Sequence, residues 1–427
     1  MSKEKLTAVR GVKDILPEES RRWQAIELSA REIFERYGFG EIRIPAFERT
    51  DLFARGIGDS TDIVTKEMYT FTDKGGDSIT LRPEATASIC RAYVQHALYN
   101  QAGVVKLFCI GPMFRYERPQ AGRFRQFHQI NAEALGTDDP ALDAEVILLL
   151  MELLGGVGLK DLTLQLNNIG DAECRPAYSN ALREFLREAT SGMGPDVAER
   201  VERNPLRFLD SKDPDHREII ARAPTIDQFW NEKCRAHMDT LCDYLEEAGV
   251  RYELNPRLVR GLDYYCLTVF EVTSEDLGAQ NAICGGGRYD GLVEELGGPP
   301  TPAIGFAIGL ERLVQLTGGD KTGTSESGAD SPIEIFIVSL GDAAQGESLK
   351  LASALRGMGF RTDRSFGGGS MKSQMKRADR SGARFVLVVG ENELAKGVVA
   401  LRDMRESRQE EISRDDVGKY LTSRLRS

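Results

Sequence analysis

A chain of 427 residues exceeds what one ordinary core accommodates, and at roughly 150 residues per domain it allows two or three domains. A hydrophobic content of 41% with 28% charged residues belongs to a soluble globular protein and excludes a disordered or fibrous chain. The formal net charge of −11 excludes nucleic-acid binding by the surface as a whole, so any RNA site has to be a local cationic patch.

The stretch from Met1 to Trp23 is charged and lacks the apolar run of a signal peptide. The longest apolar run, Val146 to Met151, falls far short of the ~20 residues of a membrane span, so a cytoplasmic address without a membrane partner is expected. The cysteines (Cys90, Cys109, Cys174, Cys234, Cys242, Cys266, Cys284) are scattered, with no C-x-x-C spacing, and are expected as free thiols with no metal site. Cys234 and Cys242 lie at i, i+8 and read as one buried helix face.

Along the chain, residues 21–37 read as a helix and Glu41 to Phe47 as a strand ending at Pro45. TLRPEAT, residues 80–86, sets Glu84 and Thr86 after an X-Pro bend; it reads either as a loop or as a helix start with Pro83 near N1 and Glu84 in the first turn. FRYERPQAGRFRQFHQINAE, residues 114–133, sets Arg115, Arg118, Arg123 and Arg125 against Glu117, with Pro119 and Gly122 marking a turn between two strands. On the second strand, alternation puts Arg125, Phe127, Gln129, Asn131 and Glu133 on one face. That face offers an adenine an aromatic to stack on and an ammonium its acceptors, although a solvated strand has the same alternation.

Residues 141–154 are helical in pattern, and a helix-rich section between about 171 and 255 (Pro176 to Glu188; Asp227 to Glu247), broken by LDSKDPD at 209–215, reads as an insertion. LVRGLDYYCLTVFE, 258–271, joins Arg260 to Tyr264 and Tyr265 ahead of a β-branched run, a pattern that serves packing as well as binding. GGGRYDG, 285–291, has the wrong spacing for a dinucleotide-binding glycine fingerprint, and there is no P-loop motif. TPAIGFAIGLERL, 301–313, runs from strand into helix with Phe306, Leu310 and Leu313 on an apolar face; Arg312 falls off it, toward a cleft or toward water. TGGDKTGTSESGAD, 317–330, reads as a linker between a catalytic-sized unit, 1–325, and a C-terminal unit, 331–427. In the latter, strand Ile333 to Leu340, helix Glu347 to Met358 and strand Phe385 to Val389 predict a small α/β domain. Lys372, Lys376 and Arg380 form an i, i+4, i+8 stripe there, suited to RNA phosphate or simply to solvent.

Taken in order, these segments resemble a family. Pro45 at a strand end, the arginine-rich hairpin at 114–129 and the G-L-E-R helix at 309–312 look like motifs 1, 2 and 3 of class II aminoacyl-tRNA synthetases, while LVRGLDYY and GGGRYDGL look like the two signatures of histidyl-tRNA synthetases. The resemblance extends over essentially the whole chain, including NPLRFLDSKDP at 204–214; Ala85 and Asn131 stand where many relatives have glycine, and Cys266-Leu267 is variable ground. It implies an α+β fold of antiparallel strands flanked by helices, a homodimer formed through motif 1, a helical insertion against the tRNA acceptor stem, and an anticodon-binding C-terminal domain. It further implies that L-histidine is activated with ATP and Mg²⁺ and transferred to the 3′ end of tRNA(His). By the same resemblance Arg115 and Arg260 would act at the α-phosphate, Phe127 would stack on adenine and Arg312 would grip the γ-phosphate. Glu84, Thr86 and Gln129 would bind the histidine backbone groups, with Glu133, Tyr264 and Tyr265 around the imidazole and Ala85 and Tyr289 also at the histidine, and Arg118, Gln120 and Arg123 would reach the tRNA acceptor end. The synthetase-like regulatory subunit of ATP phosphoribosyltransferase is the alternative, but it usually lacks the C-terminal domain and has eroded motif residues; retention of both here favours the enzyme.

Overall fold

The computed structural model describes residues 5–58, 61–118, 123–209, 211, 213–274, 282–317 and 333–426, and it divides into two compact units, Met1–Asp320 and Lys321–Ser427. Residues 318–330 of the expected linker lie outside the described residues.

The strands of the first unit are Gly40–Glu41 (β1), Phe47–Arg49 (β2), Tyr69–Thr72 (β3), Ser78–Leu81 (β4), Val105–Phe114 (β5), Gln126–Leu135 (β6), Thr163–Asn168 (β7), Glu253–Leu254 (β8), Cys266–Thr273 (β9), Ala282–Arg288 (β10) and Ala303–Gly309 (β11). Its helices are Pro17–Arg36 (α1), Thr50–Ile57 (α2), Thr86–Gln95 (α3), Pro140–Gly156 (α4), Arg175–Ala189 (α5), Pro195–Arg203 (α6), Arg217–Arg222 (α7), Glu232–Glu247 (α8), Leu292–Glu295 (α9) and Leu310–Thr317 (α10). One sheet runs β1-β5-β6-β11-β10-β9-β7-β8, and β2, β4 and β3 form a small antiparallel sheet. From β5 to β7 every pairing in the large sheet is antiparallel; β1 and β8 are added in parallel at the two edges.

The two faces of this sheet have different tasks. Ile130, Ala132 and Ala134 of β6 and Ile304, Phe306 and Ile308 of β11 enter a core with α1, α4, α8 and α10. The intervening residues of both strands face the opposite side, as the pleat requires.

The strand expected over Glu41 to Phe47 is interrupted: only Gly40–Glu41 is laddered to β5, and Phe47 opens β2 in the other sheet. Pro45 has no N–H to offer a ladder. The Ile44 and Pro45 carbonyls instead accept from Arg82 Nη1 at 2.6 and 3.1 Å, and Arg82 Nε donates to the Pro112 carbonyl at 2.8 Å. Gly111 makes room for this arginine, since a Cβ there would lie 2.7 Å from its guanidinium.

Between β7 and β8, α5 to α7 bury Tyr178, Leu182, Leu186, Val201, Phe208 and Ile226 in a cluster of their own, whereas α8 places Met238, Leu241 and Leu245 in the main core. Because β7 and β8 pair in parallel, this section leaves and re-enters the sheet along one edge.

In the second unit, Ile335–Ser339 (β12), Thr362–Arg364 (β13), Phe385–Val389 (β14), Val398–Asp403 (β15) and Arg408–Ser413 (β16) form a sheet ordered β13-β12-β14-β15-β16. Asp342–Gly357 (α11), Met371–Ser381 (α12), Glu391–Lys396 (α13) and Val417–Leu425 (α14) complete it. Strands β12 and β14 are parallel and bury both faces, which explains their unbroken apolar runs. Gln374 fastens α12 to the sheet, accepting from the Ser339 N–H at 3.0 Å and donating to the Ser339 carbonyl at 2.7 Å.

An ion pair lies inside the first unit. Asp143, on the first turn of α4, and Arg288, at the end of β10, are both 0% exposed. The carboxylate accepts from Arg288 Nε (3.1 Å) and Nη2 and from the Thr268 hydroxyl (2.6 Å), with His237 Nε2 at 2.9 Å. Burial alone would raise the Asp143 pKa, but the His237 hydrogen bond and the Arg288 charge outweigh it and hold the carboxyl below its ordinary value. Removing one partner of such a pair leaves the other charge buried, so Asp143→Asn should cost about 3–5 kcal/mol, read as a lower urea midpoint for the first unit. An unchanged midpoint would mean that water reaches Arg288.

Candidate active site

A cavity of about 940 Å³ opens on the sheet face opposite the core, lined by β6, β9, β10 and β11 and by loops around them. Its floor is polar where β6 supplies Phe127, Gln129, Asn131 and Glu133, and is cut back where β11 supplies Gly305, Ala307 and Gly309. The smallness is required: a Cβ on Gly305 would lie 1.8 Å from Glu133 Oε2.

One part of the cavity is built around Glu133. Thr86 Oγ1 donates to its Oε1 at 2.6 Å and the Tyr289 hydroxyl to its Oε2 at 2.5 Å. Tyr264 packs edge-on to Tyr289, with ring centroids 5.6 Å apart, and against Tyr265 at 4.6 Å. Burial pushes the Glu133 carboxyl up to about 8, against the lowering effect of its two hydroxyl donors. Burial likewise raises Tyr264, Tyr265 and Tyr289, so these hydroxyls remain protonated donors.

Glu84 is part of the same lining, but its carboxylate also caps α3, accepting from the Thr86 and Ala87 N–H groups at 2.6 and 2.9 Å. The helix therefore starts at Thr86, with Pro83 ahead of it rather than at N1. Among the described residues, Gln129 Oε1 is a buried acceptor without a hydrogen-bond partner. An acceptor of this kind on a cavity floor is matched by an ammonium or amide donor from a ligand.

Guanidinium groups line the remainder. Arg115 Nε donates to the Pro83 carbonyl at 2.9 Å, its guanidinium sits 5.3 Å from the centroid of the Phe127 ring, and Glu117 balances both Arg115 (3.9 Å) and Arg123 (3.3 Å). Arg260 Nη1 donates to Glu271 at 2.7 Å across Gly285, where a Cβ would meet the guanidinium at 2.5 Å. Arg312 lines the cavity too and donates to the Ala282 carbonyl. Burial first, and then the Arg123 charge, lower its pKa, a guanidinium held where an anion would stabilise it. Glu311, beside it, accepts from the His128 N–H at 2.9 Å and anchors β6 next to Phe127.

The structure thus gathers Glu84, Thr86, Arg115, Arg123, Phe127, Gln129, Glu133, Arg260, Tyr264, Tyr265, Tyr289 and Arg312 in one cavity. Two residues named from the sequence are not in its lining, and a third is not among the described residues. Ala85 is turned into an apolar cluster with Ile44, Ile89 and Met113; Arg118 is exposed away from the cavity; Gln120 lies outside the described residues. Arg125 leaves the expected strand face because β6 starts at Gln126, and it stacks on the Tyr116 ring at 3.9 Å. Glu271, Glu311 and Arg82 were not singled out by the sequence reading; Glu311 and Arg82 act through partners too distant in sequence for spacing to reveal, while Glu271 meets Arg260 of its own segment only because Gly285 leaves room between them.

A family model described as histidyl-tRNA synthetase matches residues 11–313. The chain belongs to the histidyl-tRNA synthetase family. A second model, described as an anticodon binding domain, matches residues 334–424. The histidine–tRNA ligase of Desulfitobacterium hafniense is 49% identical over 417 residues, 98% of each chain. That of a Synechococcus species is 49% identical over 420 residues, 98% of this chain and 99% of the relative. The crystal structure of apo S. aureus histidyl-tRNA synthetase superposes with a TM-score of 0.82 at 37% identity, covering 97% of this chain and 99% of that one. The α+β architecture, with a separate anticodon-binding domain on its own sheet, is that of the family.

The raised Glu133 carboxyl has a consequence for stability. The native state keeps a proton that the unfolded chain releases near the ordinary value of 4.5, so this contribution is complete below that pH and is lost as pH rises toward about 8. Melting temperatures of wild type and Glu133→Gln across that window should show wild type losing stability toward the alkaline end more steeply than the variant. Parallel profiles would mean that Glu133 ionises normally.

Proposed function

We propose that this cavity activates L-histidine with ATP, forming histidyl-adenylate and pyrophosphate, and then passes histidine to the 3′ end of tRNA(His). The observation that carries the reading is the joining, in a single cavity, of a buried carboxyl group ringed by hydroxyls and tyrosines with guanidiniums beside an aromatic ring.

A neutral imidazole is both donor and acceptor. Glu133 accepts from its N–H, and a tyrosine hydroxyl donates to the other nitrogen. Gln129 and Glu84 take the α-ammonium, with Thr86 alongside. Leaving such groups unpaired is costly, so an analogue lacking the imidazole is rejected strongly.

Activation brings a carboxylate against the α-phosphorus, and the two anions repel until cations neutralise them. No general base is required, because the attacking carboxylate is already ionised at neutral pH. Arg115 and Arg260 hold the α-phosphate with planar, permanently charged forks, Phe127 stacks on adenine and Arg312 holds the γ-phosphate. Mg²⁺ suits the donor set. Burial and then the charge of Glu117 raise the Glu67 carboxyl, and crowded carboxylates of this kind are the hard oxygen ligands a divalent cation takes. Glu67 and Glu117, which both line the cavity, would offer it oxygen ligands, and its charge would neutralise the departing pyrophosphate.

For the tRNA, Arg123 at the cavity, with Arg118 and Gln120 of the same hairpin, serves the acceptor end. Exposed Lys372, Lys376 and Arg380 on α12 suit the anticodon arm. The helical section between residues 171 and 255 acts as the insertion that leans on the acceptor stem. A homodimer is supported by the small sheet: Phe47 and Phe71, both exposed, share one face with Ile79. No helix among the described residues is long and apolar enough to cross a membrane; the proposed charging of tRNA would take place in the cytoplasm. Retention of Arg115, Arg260 and Arg312 favours this activity over the regulatory role of an ATP phosphoribosyltransferase subunit, which has no use for adenylation arginines.

ATP–pyrophosphate exchange run with each proteinogenic amino acid should respond to histidine alone; a folded protein that exchanges with none would reverse the reading. Arg260→Ala should lower kcat for exchange by about 10²–10³-fold with a smaller effect on KM. Glu133→Gln should raise the KM for histidine about tenfold while sparing that for ATP, and equal losses for both ligands would contradict its place at the imidazole.

A further inference from the structure

The signature loop LVRGLDYY carries Arg260, Tyr264 and Tyr265 yet runs through no regular element from Leu258 to Tyr265, so something outside it has to hold it still. On one side its backbone is tied to the sheet unit: the Asp263 N–H donates to the Ile57 carbonyl at 3.2 Å, and the Leu258 carbonyl accepts from Asn167 Nδ2 at 2.9 Å. On the other side the contacts come from the helical section, out of NPLRFLDSKDP, a motif to which the reaction described above assigns no role. Arg207 Nη2 donates to the Gly261 carbonyl at 2.9 Å and lies 3.5 Å from Asp263 Oδ1. Asn204 Nδ2 donates to the same Asp263 oxygen at 3.3 Å. Gly58, at φ +100°, gives Asp263 its seat, since a Cβ there would lie 2.6 Å from Asp263 Oδ2.

We infer that Asn204 and Arg207 are positioning residues for adenylation: by clamping Gly261 and Asp263 they aim the Arg260 guanidinium, and the helical section thereby controls the catalytic step as well as touching RNA. This rests on the adenylation reading above. Physically, Gly261 contributes no side chain to pin its own backbone, and Arg260 precedes it directly. A guanidinium that must meet an α-phosphate within a few tenths of an ångström loses most of its effect when its backbone wanders by an ångström. Arg207 is suited because the two N–H bonds of its Nη2 are fixed in the guanidinium plane and point to the carbonyl and the carboxylate, whereas the donors of a lysine ammonium rotate on a flexible stem.

The test is histidine-dependent ATP–pyrophosphate exchange without tRNA, on the full chain, for wild type, Arg207→Ala, Arg207→Lys, Asn204→Ala, Arg260→Ala and the Arg207→Ala/Arg260→Ala double variant. Arg207→Ala should lower kcat by about 10–100-fold with both KM values within about twofold, and Arg207→Lys should recover part of it. In the Arg260→Ala background the same change should cost almost nothing further, because it acts through Arg260. Losses that multiply in the double variant, a change confined to KM, or a defect seen only in tRNA charging would each overturn the inference. Should Arg207→Ala fail to fold, Asn204→Ala read with and without Arg260→Ala decides by the same criteria. Wild type that exchanges normally beside an unimpaired, folded Arg207→Ala sinks this inference alone; wild type that does not exchange at all sinks the adenylation reading and this with it.

Discussion

The buried Asp143–Arg288 pair is the constraint on which the catalytic unit depends. Arg288 also donates to the Thr137 carbonyl at 3.0 Å and to Asp290 at 3.2 Å, and Asp290 in turn accepts from the Ala303 N–H at 3.1 Å. One guanidinium therefore ties together the start of α4, the end of β10 and the start of β11. Tyr289 is the next residue, so the direction of its hydroxyl toward Glu133 follows from how Arg288 is held. A buried ion pair of this kind gives little net stability over an apolar pair. What it supplies here is register, since the charges accept one mutual placement and an apolar contact would tolerate several.

Charge in the cavity is arranged with the same economy. Arg115, Arg123 and Arg260 each have a carboxylate within reach, Glu117 or Glu271. These pairings moderate repulsion between cations brought close in a partly desolvated space. Around Glu133 the balance is reversed. There a carboxyl is kept from ionising freely by burial, and hydroxyl donors orient it rather than neutralise it.

What could be read from the sequence follows from how local each signal is. The face Phe127, Gln129, Asn131, Glu133 was legible because alternation needs only the strand's own residues. Arg125 departed from it because, at the ladder's end, its N–H turns to the Gly11 carbonyl and its side chain to the Tyr116 ring, contacts that alternation does not encode. The buried strands β12 and β14 were legible as apolar runs, while the interruption at Pro45 was half legible: proline signals a break, but Arg82, the residue that fills it, lies 37 positions away. Asp143 was hidden inside a leucine-rich helix, where an acid looks like a misplaced surface residue until its partner 145 positions away is known. The clamp by Asn204 and Arg207 was hidden for the same reason.

Strand β11 shapes the amino-acid pocket by what it lacks. With Gly305 paired directly beside Glu133 and only Ala307 and Gly309 beyond it, the one side chain this run of β11 has left to trim is the Ala307 methyl. Beyond that methyl, redesign toward a larger ligand would have to take its space from Tyr264, Tyr289 or Glu133 themselves, the groups that crowd this part of the cavity. Substitutions at Gly305 and Gly309 could only shrink the site, so the route from this pocket to a roomier one passes through the loss of the hydroxyl and carboxyl groups that now shape it.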